Sequence, residues 1–88
     1  MLGFQFTNQF KKDFKLMEKR RCDVNELFDI MVKLIWEEPL PARCREHHLS
    51  GVLEGYTECH VKNDWLLTFY FSNGCIYFAR TGTHSDLF

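Results

Sequence analysis

Apolar residues recur along the first part of the chain with the period of a strand and then with that of a helix. From Leu2 to Phe6 apolar positions alternate with others, a pattern typical of a short strand. Phe10, Phe14 and Met17 follow at spacings of four and three residues, which places them on one face of a helix. The sequence therefore predicts a strand and then a helix, which either Thr7 or Asn8 between the two patterns can cap.

A second helix is predicted from Asp23 to the prolines at 39 and 41. Asp23 and Glu26 have the spacing of a capping box, which marks a helix start. The apolar residues that follow share one helical stripe, which we expect in the core: Val24, Leu27, Phe28, Met31, Leu34 and Ile35. Pro39 and Pro41 end the helix, because proline disfavours the helical conformation of the residue before it.

The second half of the chain has strand-like segments separated by turn signals. The predicted parts are a polar loop, three strands and a short tail: 42–51, Val52–Lys62, Trp65–Phe71, Cys75–Arg80 and Thr81–Phe88. The turns at residues 63–64 and 72–74 are tight. Because tight turns join antiparallel neighbours, the three strands form an antiparallel meander.

Together these elements predict an α+β fold with one N-terminal strand, two helices, and a three-stranded antiparallel meander whose one face the helices cover. The chain has 88 residues, which is room for one compact domain, so we expect residues 1–88 to form a single domain. The composition, 45% hydrophobic and 26% charged, excludes low-complexity and fully disordered classes.

The distribution of apolar residues also indicates whether a segment of the chain could cross a membrane. No apolar run approaches the roughly 20 residues that cross a bilayer. Lys11 and Lys12 precede any stretch long enough to be the core of a signal peptide. We therefore expect a cytoplasmic protein without membrane contact.

Charge is distributed unevenly along the chain. The formal net charge is −1, yet residues 1–22 carry a net +4 and the remaining residues a net −5. Most of the positive charge belongs to the first predicted helix: Lys11, Lys12, Lys15 and Lys19. This asymmetry predicts an electropositive face on an otherwise acidic body, and the alternative is an ordinary solvated helix face.

The four cysteines do not have the spacing of a disulfide framework or a metal site. They lie far apart in the sequence, with no Cys-x-x-Cys pair. Cys44 and His47 are three residues apart, but their only counterpart is the adjacent pair Cys59 and His60, whose side chains point to opposite faces of a strand. We therefore predict free thiols and no bound metal.

Polar residues of the second half can gather on one open face of the predicted sheet. Glu58, His60 and Lys62 follow one another at two-residue spacing on a strand and so share a face. The whole candidate cluster is His47, Glu58, His60, Asp64, Arg80 and His84. These residue types suit metal-free cleavage of RNA, which needs a base for the ribose hydroxyl, an acid for the leaving oxygen and a cation near the phosphate.

Three blocks of the sequence resemble the YafQ group of RelE/ParE-superfamily toxins: Glu46–Gly51, Gly55–Leu67 and Arg80–Phe88. In that group the blocks read approximately Asp-His-Pro-Leu-x-Gly, Arg-Asp/Glu-x-His-x-x-x-Asp and Arg-x-Gly-Ser/Thr-His-x-x-Leu-Phe. The resemblance implies a RelE-like toxin of a type II toxin–antitoxin pair, an endoribonuclease that cleaves messenger RNA on the ribosome. It also implies a 2′,3′-cyclic phosphate product, no metal or cofactor, and a cognate antitoxin as partner.

The resemblance further implies catalytic roles. The positions that match functional residues of the group are His47, Glu58, His60, Asp64, His84 and Phe88. Of these, His84 is the implied general acid. The implied general base is His60 or His47, and either Glu58 or Asp64 orients it.

The remaining implied roles concern contacts with RNA. Phe88 stacks on a nucleobase, as aromatic rings commonly do in single-strand binding. Arg80 stabilises the phosphate. The lysines of the first helix bind ribosomal RNA in a salt-sensitive contact: Lys11, Lys12, Lys15 and Lys19.

The chain also departs from the group. Thr57 stands where arginine is usual, and Asn63 and His48 stand where proline is usual.

An alternative function on the same scaffold is a non-catalytic, gyrase-targeting module of the ParE type. Such modules are not expected to need a histidine cluster, so the cluster favours the nuclease.

Overall fold

The computed structural model describes all residues from 1 to 88. Three helices and five strands form its regular structure, with two short 3-10 turns between them. The strands are β1 (Gly3–Phe6), β2 (His47–His48), β3 (Thr57–Lys62), β4 (Trp65–Ser72) and β5 (Cys75–Gly82). The helices are α1 (Asn8–Lys19), α2 (Val24–Ile35) and α3 (His84–Leu87), and the 3-10 turns are Ala42–Cys44 and Gly51–Leu53.

The five strands form one mixed sheet in the order β1-β5-β4-β3-β2. Strand β1 pairs with β5 in parallel, and every other pairing is antiparallel. The predicted α+β class and the antiparallel meander of β3, β4 and β5 are confirmed. The predicted number of strands is wrong by one, because β2 adds a fifth strand beside β3.

Three segments of the second half differ from the prediction. The segment 42–51, predicted as a loop, contains β2 and parts of both 3-10 turns. The strand predicted from Val52 begins only at Thr57, because Gly55 has a φ of +96° and turns the chain just before it. The predicted tail instead continues β5 to Gly82 and then forms α3. Two residues of strand and one turn of helix are too short to leave a period in the sequence.

Helices α1 and α2 begin at the predicted caps. The hydroxyl of Thr7 accepts a hydrogen bond from the backbone N–H of Phe10 at 3.0 Å, and the carboxylate of Asp23 accepts one from Asn25 at 3.0 Å. Each helix has 12 residues. No helix in the structure has both the length and the apolar character needed to cross a membrane.

A single hydrophobic cluster of 15 buried residues joins α1 and α2 to the sheet. Leu27, Met31 and Leu34 of α2 lie inside it, as the helical stripe predicts, and Ile30 lies inside it although it was not part of that predicted stripe. Phe28 belongs to the predicted stripe but is 42% exposed. Its ring stacks instead on Phe14 of α1, with the centroids 5.7 Å apart.

Candidate active site

The strand register places most of the predicted site residues in two neighbouring rows on the sheet. The first row crosses four strands: His47 of β2, Glu58 of β3, Thr68 of β4 and Arg80 of β5. The second row contains His60, Leu66 and Gly82. Along β3 the rows are two residues apart, about 7 Å. The register therefore brings together residues that are far apart in sequence.

A β-bulge ends this arrangement on β3. The register between β3 and β4 shifts between His60 and Lys62. Lys62 thereby leaves the face that the two-residue spacing predicts for it, and its ammonium group lies 3.3 Å from Glu26 of α2. Only Glu58 and His60 remain on the shared face.

Helix α3 carries His84 next to His60. Since α3 begins directly after Gly82, at the end of the second row, the rings of His60 and His84 have centroids only 6.0 Å apart. Asp64, in the turn between β3 and β4, accepts hydrogen bonds from the His84 backbone N–H at 3.1 Å and from its Nδ1 at 2.5 Å. These hydrogen bonds lower the pKa of Asp64 below its usual value. The ionised carboxylate accepts the proton of Nδ1, so Nε2 of His84 faces outward.

The ring of His60 is fixed in a similar way by a neutral partner. Its Nδ1 lies 3.1 Å from the backbone carbonyl oxygen of Asn63. A carbonyl oxygen can only accept, so Nδ1 donates, and Nε2 has no hydrogen-bond partner in the protein. The rings of His60 and His84 thus lie close together, and the Nε2 of each has no hydrogen-bond partner in the protein.

His47 has no uncommitted ring nitrogen. Its Nδ1 lies 2.8 Å from the carbonyl oxygen of Arg45, and its Nε2 lies 3.1 Å from Oε2 of Glu58. Glu58 is 5% exposed, and its other oxygen, Oε1, is buried without a hydrogen-bond partner. His47 and Glu58 thus lie at ion-pair distance from each other at the end of the first row.

Arg80 is held by a residue that the sequence analysis did not single out. Its Nε and Nη2 donate to the carboxylate of Asp13 on α1 at 2.9 and 3.1 Å. Asp13 is 6% exposed and also accepts a hydrogen bond from the backbone N–H of Thr81 at 3.2 Å. The contact with Asp13 raises the pKa of Arg80 above its usual value. Two of the donors predicted to grip a phosphate are therefore already engaged, and Nη1 is the free one.

Phe88 lies at the edge of the histidine cluster. It is 62% exposed, and its ring centroid is 6.4 Å from that of His84. A neighbouring cavity of about 300 Å³ extends from Phe88 to Arg80. Several of its apolar lining residues were not anticipated from the sequence: Leu49, Leu53, Tyr56 and Leu87. No local pattern marks these residues, because the cavity forms only when the segment before β3 folds over the sheet.

The four predicted RNA-binding lysines lie on α1, outside the histidine cluster. All four are exposed, and at 100° per residue they occupy about 100° of the helix circumference: Lys11, Lys12, Lys15 and Lys19. We call this arc the lysine stripe. Two of its members, Lys11 and Lys15, also border an apolar groove whose lining includes Phe14 and Phe28.

Two of the four cysteines, Cys44 and Cys59, belong to the hydrophobic core. All four are free, and Cys44 and Cys59 are fully buried. Burial raises the pKa of both thiols, so they remain protonated. Side chains of His, Cys, Asp and Glu do not come together anywhere in groups of three or more that could hold a metal ion.

Comparison with known proteins places this architecture in a family. The family model described as "Bacterial toxin of type II toxin-antitoxin system, YafQ" matches residues 2–88. The mRNA interferase toxin YafQ of Escherichia coli K12 is 41% identical over 85 residues, which cover 96% of this chain and 92% of that protein.

Solved structures agree with this match. The crystal structure of YafQ from E. coli BL21(DE3) has a TM-score of 0.94 at 38% identity, with 100% of this chain and 99% of that chain covered. A chain of the E. coli DinJ-YafQ toxin–antitoxin complex has a TM-score of 0.91 at 40% identity, with coverages of 99% and 97%.

The family match includes all three sequence blocks, both rows of the sheet and α3. The match and the relatives lend no support to the alternative of a non-catalytic ParE-like module. The chain belongs to the YafQ family of bacterial toxins of type II toxin–antitoxin systems.

Proposed function

We propose that this toxin cleaves messenger RNA on the ribosome by acid–base catalysis between His60 and His84. Its family and the name of its E. coli relative make it an mRNA interferase, which is an endoribonuclease. The proposal concerns how it cleaves and which molecules it meets. The observation that carries it is the pair of rings 6.0 Å apart, each with an uncommitted Nε2.

In the proposed reaction, one histidine removes a proton and the other supplies one. Nε2 of His60 accepts the proton of the ribose 2′-hydroxyl as O2′ bonds to phosphorus. Nε2 of His84 donates a proton to the 5′-oxygen as the phosphorus–oxygen bond to it breaks. The products are a 2′,3′-cyclic phosphate and a 5′-hydroxyl, and no other reactant is consumed.

The partners of the two rings support this assignment of roles. His84 is paired with the carboxylate of Asp64, whereas His60 is paired with the neutral carbonyl of Asn63. The positive charge of an imidazolium is therefore compensated at His84 and not at His60, which suits His84 as the acid and His60 as the base.

In this proposal His47 and Glu58 do not act as the base; they hold β2 in position and contribute to the charge beside the reacting groups. Both ring nitrogens of His47 already lie beside oxygen atoms of the protein, the Arg45 carbonyl at Nδ1 and the Glu58 carboxylate at Nε2, so neither is as open to a substrate as Nε2 of His60. Of the two candidates for the base, His60 is the one whose geometry fits. The pair of His47 and Glu58 holds β2 at the edge of the sheet beside the reacting groups.

Arg80 and Phe88 complete the proposed substrate site. Arg80 keeps Nη1 free, and its guanidinium, fixed by Asp13, places a permanent positive charge near the phosphate. Phe88 is exposed beside His84 and offers a ring on which a nucleobase can stack. The cavity between Arg80 and Phe88 has room for that base.

The proposed partners are the ribosome, mRNA and a cognate antitoxin. The lysine stripe offers closely spaced positive charges to ribosomal RNA. The E. coli relative was crystallised with the antitoxin DinJ, and we propose that an antitoxin likewise binds this chain. Residues 1–88 would then act as one toxin domain in the cytoplasm, where translating ribosomes are.

Cleavage of a translated messenger by purified ribosomes and toxin tests the proposal. We expect His60→Ala and His84→Ala each to lower the cleavage rate at least about 100-fold, since each removes one proton-transfer group. Sequencing of the cut ends should find 2′,3′-cyclic phosphates. His48→Ala is the matched control, because His48 is exposed and its ring hydrogen-bonds only with the Thr57 hydroxyl. Full activity of both test variants would refute the assignment.

A further inference from the structure

Arg20 makes a contact that spans 66 residues of the sequence. Directly after α1, its Nη1 and Nη2 donate to the two carboxylate oxygens of Asp86 at 2.6 and 3.0 Å. Two parallel bonds of this kind fix the relative orientation of a guanidinium and a carboxylate. The contact therefore links the end of α1 to α3.

The carboxylate that Arg20 holds also closes the first turn of α3. Asp86 Oδ2 accepts a hydrogen bond from the backbone N–H of Thr83 at 2.9 Å, and the Thr83 hydroxyl accepts one from the N–H of Asp86 at 3.2 Å. These reciprocal bonds form a capping box. The carbonyl oxygen of Asp86 lies 3.4 Å from Nη2 of Arg80. Every polar group of Asp86 thus serves to hold α3.

Helix α3 needs such support because it is only four residues long. A single helical turn is unstable alone, since fixing its backbone costs more than its few hydrogen bonds return. His84 is its first residue, and Phe88 follows its last. Any tilt of α3 therefore moves the imidazole of His84 relative to His60 and moves Phe88 with it.

We infer that Arg20 is a positioning residue of the active site, and that through Asp86 it holds α3 in the orientation that sets His84 beside His60. The inference rests on the proposed role of His84 as the general acid. Arg20 and the Thr83 backbone lower the pKa of Asp86 far below its usual value, so the carboxylate stays ionised at neutral pH and the contact persists there. The Arg20 side chain is 41% exposed and that of Asp86 20%, so the orientation of this pair rests on its two parallel bonds and on the further bonds of Asp86 within α3.

Cleavage and ribosome binding measured separately test this role. For Arg20→Ala we expect the single-turnover cleavage rate on saturating ribosomes to fall about 10-fold to 100-fold, the range that a small misplacement of a reacting group causes. Affinity for ribosomes should change less than about twofold, because Arg20 acts through Asp86 and not on RNA. Arg20→Lys should recover part of the rate, since an ammonium replaces one of the two bonds.

Amide hydrogen exchange gives a readout that needs no substrate. In Arg20→Ala the backbone N–H groups of Asp86, Leu87 and Phe88, which bond within α3, should exchange at least about 10-fold faster. Asp86→Asn should have at least the same effect, because it also weakens the bond to the Thr83 N–H, and the double variant should be no worse than Asp86→Asn alone. Arg21→Asn is the matched control, because it removes a positive charge one residue away and asparagine tolerates the φ of +59° there.

The outcomes separate this inference from the proposed function. Unchanged amide exchange in Arg20→Ala overturns the positioning role, whatever the activity. Weaker ribosome binding with an unchanged cleavage rate overturns it too, because Arg20 would then contact RNA directly. Wild-type cleavage by His84→Ala overturns the proposed function instead.

Discussion

At the scale of single residues, the partner of each imidazole decides what that imidazole can do. His47, His60 and His84 are alike in the sequence, yet their partners are a carboxylate with a carbonyl, a carbonyl alone, and a carboxylate. Only His60 and His84 keep an Nε2 free to exchange a proton with a substrate. The sequence left the base open between His47 and His60, because neither motif nor spacing states which acceptor each nitrogen meets.

The lowered pKa of Asp86 predicts a dependence of stability on pH. In the unfolded chain this carboxyl titrates near its usual value of about 3.9, and in the folded protein it titrates lower. Below about pH 4 the unfolded state therefore binds more protons than the folded state, so the stability of the fold decreases as the pH is lowered. Thermal unfolding between pH 5 and pH 3 should show a smaller drop in melting temperature for Asp86→Asn than for the wild type. If the melting temperatures of the two proteins fell equally between pH 5 and pH 3, Asp86 would not be the group responsible for this pH dependence.

At the scale of elements, α1 contributes to three parts of the molecule at once. Phe10 and Met17 enter the core, and Asp13 lies against the edge of β5. That edge is open beyond residue 78, where the pairing with β1 stops, so the N–H of Thr81 needs another acceptor. Asp13 supplies it and fixes Arg80 with the same carboxylate. Arg20 then connects the other end of α1 to α3.

Removing the charge of Asp13 should destabilise the fold. Asp13→Asn keeps the size of the side chain but weakens the charged hydrogen bonds to Arg80 and Thr81, so we expect the free energy of unfolding to fall by about 2 kcal/mol. Urea denaturation measures the change. Asp29→Asn, at an exposed position of α2, is the control and should stay within about 0.5 kcal/mol of the wild type. Equal stability of the two variants would mean that Asp13 contributes nothing to holding β5.

At the scale of the whole molecule, the chain places its densest run of lysines away from its candidate chemistry. The lysine stripe lies on α1, whereas the histidines lie on the sheet and on α3. Residues 1–22 carry a net +4 and the rest a net −5, so the molecule is electrically polar although its total charge is −1. This arrangement suits a protein that docks on a polyanion through one surface and acts through another.

Neutralising the lysine stripe should weaken ribosome binding in a salt-dependent way. When all four lysines are replaced by glutamine, we expect the slope of log affinity against log salt concentration to decrease by about 0.7 for each lysine that contacts a phosphate. Cosedimentation at several salt concentrations measures it. Lys33→Gln, on α2 and outside the stripe, is the control. An unchanged slope would assign the ribosome contact to another surface.

The sequence by itself determined the elements with a strong local signature. The periods of Phe10, Phe14 and Met17 and of the α2 stripe predicted both long helices, and the turn residues at 63–64 and 72–74 predicted the meander. The three blocks pointed to the family. Such features follow from backbone preferences and apolar periods within a few residues, so they can be recognised without knowing the rest of the chain.

The tertiary structure decided which side chains meet. The pairing of His84 with Asp64, of Arg80 with Asp13 and of Arg20 with Asp86 joins residues 20 to 67 positions apart. Strand β2 exists only because β3 offers it an edge, and Phe28 is exposed because packing selects one arc of a wide apolar stripe. Contacts of this kind depend on strand register and on how the helices pack on the sheet. A shift of one residue in the register moves every side chain of a strand to the opposite face of the sheet. Local sequence carries no record of that choice.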